Sequence, residues 1–197
     1  MKVILFLLVS YLLGSVPFGL LLARLKGRDP RLEGSGNIGA TNVLRVAGKT
    51  LGLLTLLFDT AKGFFPVLLA SKMGGDPWTV AACGLAAFVG HLYPIYLRFR
   101  GGKGVAVALG VFLAIGPFFV FLTTVFFFLL LYLFRYVSLA SICSSWFFSL
   151  VLLLFRAPET SLLLSLIVAA LITFRHRANI DRLLRGKEHK IFLKGGA

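Results

Sequence analysis

Apolar runs close to twenty residues long recur from one end of this chain to the other, and they decide what solvent it can fold in. They span residues 3–23, 50–72, 78–97, 105–134, 137–155 and 160–174. A helix crossing a hydrocarbon core of about 30 Å needs about 20 mainly apolar residues, so each run is a candidate span. A soluble core built from 197 residues could not hide them, since 58% of the chain is hydrophobic. The first run lacks the small-residue cleavage site of a signal peptide and is followed by further spans, so we read it as a retained helix. Cys83 and Cys143 lie in different runs, without CxxC or Cys/His spacing. That argues for packing residues rather than a zinc site or a disulfide framework.

The formal charge of +14 would suggest nucleic acid in a soluble protein. In a membrane protein it marks cytoplasmic loops instead, because these accumulate Lys and Arg, and no nucleic-acid partner is expected. The segment after the first run carries Arg24, Lys26, Arg28, Arg31, Arg45 and Lys49, which sets it inside and the N-terminus outside. Arg98, Arg100 and Lys103 follow the third run, and Arg175, Arg177, Arg182, Arg185, Lys187, Lys190 and Lys194 fill the tail, so both are inside as well. An outside start and an inside end require an odd number of crossings. The run 105–134 would make a helix of about 45 Å at 1.5 Å per residue, and Gly116-Pro117 interrupts it. Splitting it there gives seven spans and leaves Arg135 at an inner end; a five-span chain with one segment sunk partway is the competitor. The predicted architecture is therefore all-α, a polytopic integral membrane protein of seven helices with a cytoplasmic C-terminus, forming one domain over residues 1–197.

Three inner segments differ from ordinary loops. In the first, Ser35-Gly36-Asn37-Ile38-Gly39-Ala40-Thr41-Asn42-Val43-Leu44-Arg45, two glycines let backbone N–H groups converge, and a helix starting near Ala40 or Thr41 would add its positive end. Arg45, about one turn on, can make a two-pronged contact with phosphate; a capped re-entry loop would use the same Asn and Ser residues. In the second, within 90–106, Gly101, Gly102 and Gly104 surround Lys103, so the main chain can approach an anion that the ammonium neutralises. A Walker loop is excluded, because GxxxxGK[ST] is absent and no strand precedes the segment. In the third, residues 175–188, His176 and Asn179 are three apart and share a helical face. His176 could act as acid, base or hydrogen-bond donor. The arginines around it suit anionic headgroups.

Asp59 and Lys62 lie three apart inside the second run, where ionisable groups are costly unless paired, so we expect a structural ion pair. His91 is expected to make a core hydrogen bond. Ser138 is placed to cap the sixth of the seven spans, residues 137–155, with Ser141 directed towards the anion site.

The segments SGNIGATNVLR, GHLYPIYLRFRGGKGVA and HRANIDRLLRGKE, in that order and all on the predicted inner face, resemble the bacterial PlsY-type glycerol-3-phosphate acyltransferases. The resemblance covers essentially the whole chain. It implies transfer of a fatty acyl group from acyl phosphate to the sn-1 hydroxyl of sn-glycerol 3-phosphate, giving lysophosphatidic acid and phosphate. It also implies a seven-helix fold, with neither acyl-CoA nor acyl carrier protein as direct donor. Carried onto these positions, Ser35, Asn37 and Arg45 become phosphate and substrate contacts, and Gly101, Gly102, Lys103 and Gly104 the glycerol phosphate-binding segment. His176 and Asn179 become the active-site pair, and Glu188 a structural acid. We assign His176, Asn179 and Ser35 to catalysis, with Ser35 orienting phosphate rather than attacking, and expect no metal or cofactor. His176 to Asp181 also spells the HxxxxD signature of an unrelated acyltransferase superfamily; nothing else of that superfamily accompanies it. Expected partners are the two substrates and membrane lipid, and nothing demands more than a monomer. A small anion or organophosphate transporter is the alternative, although such a protein would place its charges near mid-membrane.

Overall fold

The computed structural model describes residues 2–191, within which every regular element is helical; Lys194 of the basic tail lies outside the described residues. The chain divides into two compact units, Met1–Ile115 and Gly116–Ala197.

The first unit contains α1 (Lys2–Ser15), α2 (Phe18–Arg24), α3 (Ala40–Ala47), α4 (Lys49–Lys72), α5 (Pro77–Leu92) with a 3-10 turn at Ile95–Leu97, and α6 (Val105–Ile115). The run 3–23 reads as a single helix in the sequence, whereas the structure interrupts it at Val16 and Pro17. Proline has no N–H to donate and its ring crowds the preceding turn, so the helix stops and restarts. In an apolar layer the carbonyls exposed by such a break need an internal partner. Lys62 of α4 supplies one: its Nζ donates to the Val16 carbonyl at 2.7 Å and lies 2.9 Å from Asp59 Oδ1. Both side chains of this pair are 3% exposed.

Close helix packing in the unit depends on absent side chains. A Cβ on Gly63 would overlap the Val107 carbonyl of α6, and one on Gly110 would overlap the Thr60 carbonyl of α4. Gly14 and Gly90 join α1 to α5 in the same reciprocal way. Small residues that let backbones approach are the standard adhesive where lipid removes any hydrophobic drive between helices.

Gly116 and Pro117 divide the long apolar run, as the sequence reading favours: α6 ends at Ile115 and α7 starts at Pro117. With 11 residues, α6 rises only about 16 Å, about half the hydrocarbon thickness.

The second unit contains α7 (Pro117–Phe134), α8 (Val137–Leu154), α9 (Glu159–Arg175) and α10 (Arg177–Leu184), the last two bent by 59°. Phe126 stacks on Phe147 at 4.1 Å to join α7 to α8, and Trp146 Nε1 donates to Thr173 Oγ1 at 3.0 Å to join α8 to α9. Only Val120 of α7 is buried, while Phe121, Phe128 and Tyr132 are 64%, 60% and 82% exposed. A helix so apolar and so uncovered is solvated by lipid. Among the described residues five helical segments are long and apolar enough to cross a membrane, and a sixth if the bent pair counts as one span. The protein is an all-α, polytopic integral membrane protein.

Removing one member of the buried pair strands the other. Asp59→Ala is expected to cost about 3–5 kcal/mol in stability, measured by unfolding in detergent micelles, and the double change Asp59→Leu with Lys62→Met to cost less than Asp59→Ala alone.

Candidate active site

The candidate residues fall into both units, and local structure explains each group. In the first unit α3 begins at Ala40 with Gly39 as an extended N-cap. The loop before it is wound around Asn42, whose side chain is 2% exposed. The Asn42 amide donates to the carbonyls of Pro30, Glu33 and Asn37 at 2.8, 3.0 and 2.9 Å, and its Oδ1 accepts the Ser35 N–H at 2.8 Å. Asn37 Oδ1 accepts the Gly39 N–H at 2.8 Å, closing a tight turn into the helix. Ser35 stands exposed on the outside of this loop, and Arg45 is exposed one turn into α3.

The neighbouring arginines are matched by acids. Arg28 pairs with Glu33 at 3.0 Å, and Asp29 receives Arg31 at 2.5 Å and Arg24 at 3.9 Å. Hydrogen bonding from Arg31 holds the Asp29 carboxyl down at about 2. None of the ion pairs among the described residues involves Arg45. The stretch 24–45 thus separates charges used in folding from Arg45, which pairs with no acid among the described residues.

The glycine run folds back onto the end of α5. Gly101 N–H donates to the Leu92 carbonyl and Gly102 N–H to the His91 carbonyl, each at 3.1 Å. These two amides close a turn on α5, which differs from the expected convergence on an anion. Gly104 has φ +87°, and a Cβ there would strike the Phe88 ring. Lys103, half-buried, is held between these contacts.

In the second unit His176 sits at the bend between α9 and α10, 3% exposed, with Nδ1 2.8 Å from the Ile172 carbonyl. A carbonyl can only accept, so Nδ1 carries the proton, and Nε2 is the acceptor of the neutral ring. Asn179 is 5% exposed, and its Nδ2 donates to Glu188 Oε1 at 2.6 Å. Ser138 Oγ reaches the same oxygen at 2.9 Å, and Arg182 Nε donates to Oε2 at 2.7 Å. Glu188 therefore clamps α8, α10 and the following segment together. Burial works against its charge, but the hydrogen bonds from Asn179, Arg182 and Ser138 outweigh it and hold its carboxyl below the ordinary glutamate value. Ser138 does not cap α8 as the sequence suggests; Tyr136 occupies that position without a side-chain cap, and the serine serves the clamp. Ser141 is buried, with its hydroxyl donating to the Val137 carbonyl at 2.7 Å.

The profile of the glycerol-3-phosphate acyltransferases matches residues 4–186. The chain belongs to the glycerol-3-phosphate acyltransferase family. It is 48% identical over 196 residues to the glycerol-3-phosphate acyltransferase of Aquifex aeolicus, covering 96% of this chain and all of that one. The enzyme of Geotalea daltonii is 49% identical over 180 residues, covering 91% and 93% of the two chains. Crystal structures of PlsY (YgiH), an integral membrane glycerol 3-phosphate acyltransferase, superpose with TM-scores of 0.94 for its glycerol 3-phosphate form and 0.91 for its lysophosphatidic acid form. These are 44% and 43% identical, and each comparison covers 97% of this chain and 96% of the other.

Two residues of evident importance were not singled out from sequence. Asn42 stands inside the first motif, and its signal was an Asn in the first turn of a helix that follows a glycine-rich loop. Arg182 looked like one more headgroup arginine, and only the fold brings it to Glu188.

Because Glu188 has a folded pKa below its ordinary value of 4.5, its contribution to stability is fully present above that value and is lost as pH falls through the folded one. Thermal unfolding in micelles between pH of about 6 and about 3 should therefore show stability falling with acid, with a shallower fall in Glu188→Gln.

Proposed function

We propose that this chain transfers a fatty acyl group from acyl phosphate to the sn-1 hydroxyl of sn-glycerol 3-phosphate, releasing lysophosphatidic acid and inorganic phosphate. The observation that carries the reading is Arg45 in α3, which pairs with no acid among the described residues, in a chain whose relatives are glycerol-3-phosphate acyltransferases over nearly their full length. The seven-span count, an outside N-terminus, placement in the bacterial cytoplasmic membrane and reaction on its inner face belong to the same proposal. The basic residues flanking α2, α3 and α9 favour that orientation. The proposed enzyme works as one domain over 1–197 and can do so as a monomer.

In the reaction the sn-1 oxygen attacks the acyl carbonyl carbon, a new C–O ester bond forms, and the anhydride C–O bond breaks as phosphate departs with the bonding pair. Phosphate is already a good leaving group, so the demands on the protein are orientation and offsetting charge. Arg45 and Lys103 offset the repulsion of two phosphate-bearing substrates, and Ser35 and Asn37 orient phosphate. Gly101, Gly102 and Gly104 give Lys103 its backbone, and Ser141 contributes a hydroxyl from α8. The hydroxyl proton goes to a substrate phosphate, whose second pKa is near 6, or to His176 Nε2, whose tautomer the Ile172 carbonyl sets. Asn179 addresses substrate beside His176 while Glu188 holds it. No side chain is acylated.

The test is phosphate release by purified protein in lipid, supplied with palmitoyl phosphate and glycerol 3-phosphate. Arg45→Ala and Lys103→Ala should each lower kcat/KM for glycerol 3-phosphate by about a hundredfold or more. Wild-type rates in either variant, or an acyl-Ser35 adduct trapped during turnover, would refute the assignment.

A further inference from the structure

His91 is more than a core histidine. It lies near the inner end of α5, 4% exposed, with Nδ1 3.8 Å from Asp59 Oδ1. Asp59 is paired to Lys62, which is itself fixed to the Val16 carbonyl at the break between α1 and α2. The imidazole is thus backed by three helical segments. Its other edge faces the glycine run, where a Cβ on Gly102 would overlap Nε2, Cε1 and Cδ2 of the ring. The His91 carbonyl meanwhile accepts the Gly102 N–H at 3.1 Å.

One residue therefore both draws the loop in and limits how far it comes. On the far side of Lys103, Gly104 rests on Phe88, three residues before His91 and on the same face of α5. Lys103 is held between two contacts that both belong to α5. A displacement of about 1 Å in a positioned group can cost about a hundredfold in rate, so the height of this loop matters to any anion that Lys103 binds.

We infer that His91, backed by the Asp59–Lys62 pair, is a positioning residue that sets the place of Lys103 for the phosphate of glycerol 3-phosphate by supporting Gly102. The inference rests on the acyltransferase reading and gives a role to a polar residue of the second motif segment that the proposed reaction leaves unused. The ring touches the loop, so its removal should act on the one substrate whose phosphate that loop is proposed to hold.

Steady-state kinetics in lipid nanodiscs test this. His91→Ala should raise KM for glycerol 3-phosphate about tenfold or more while leaving KM for palmitoyl phosphate within about twofold, and His91→Gln, which keeps a planar polar group, should recover most of the loss. Gly102→Ala should show the same selective defect. The double variant Gly102→Ala with His91→Ala should turn over better than Gly102→Ala alone, because the new methyl enters the space the ring leaves. Backbone hydrogen exchange in residues 93–104 should quicken in His91→Ala, a readout that needs no catalysis. Equal effects on both substrates, a double variant no better than the product of the singles, or unchanged exchange would overturn the inference. Absence of glycerol phosphate-dependent phosphate release in wild type would instead overturn the acyltransferase reading, and the exchange result would still decide the support of the loop by His91.

Discussion

Lys62 answers two demands that the bilayer makes at once. A broken helix leaves a carbonyl in an apolar layer, and a carboxylate at that depth needs a counter-charge; one ammonium at 2.7 Å from Val16 and 2.9 Å from Asp59 meets both. The break at Pro17 turns the chain from α1 into α2 before the loop that leads to α3, and Asp59 backs His91 beside the glycine run. The charges within the apolar runs thus hold the scaffold of both loops, while Arg45 and Lys103, proposed to bind phosphate, stand at its edge.

This division of labour recurs on a smaller scale. Before α3, Asp29 and Glu33 neutralise Arg24, Arg28 and Arg31, and Asn42 fastens the loop by four hydrogen bonds, while Arg45 meets no acid among the described residues. In the second unit Glu188 holds Asn179 and Arg182, and the Ile172 carbonyl fixes the His176 tautomer. Asp29, Glu33 and Glu188 are all turned towards the fold, engaged by arginines or amides of the protein itself.

Much of the fold could be read from periodicity and charge because lipid imposes few solutions. The apolar runs became helices with ends within a few residues of expectation, and Gly116-Pro117 divided the long one. Pro17 was as plain in the sequence, but the run around it is apolar on both sides, and hydropathy does not register a missing N–H. The short α6 was legible in the same way, as the piece of the run 105–134 that precedes Gly116-Pro117, but composition does not say that Gly101 and Gly102 fold back on α5. At the candidate site, residue types were legible and partners were not. Ser138 looked like a helix cap and holds Glu188, because that role depends on a residue fifty positions away that only folding brings near.

The most direct measurement of the central claim is product stoichiometry in a defined bilayer. Wild-type protein in nanodiscs, given radiolabelled glycerol 3-phosphate and palmitoyl phosphate, should form lysophosphatidic acid and inorganic phosphate in equal amounts, and none when palmitoyl-CoA replaces the acyl phosphate. Phosphate released without lysophosphatidic acid, or lysophosphatidic acid formed from the thioester, would contradict the account.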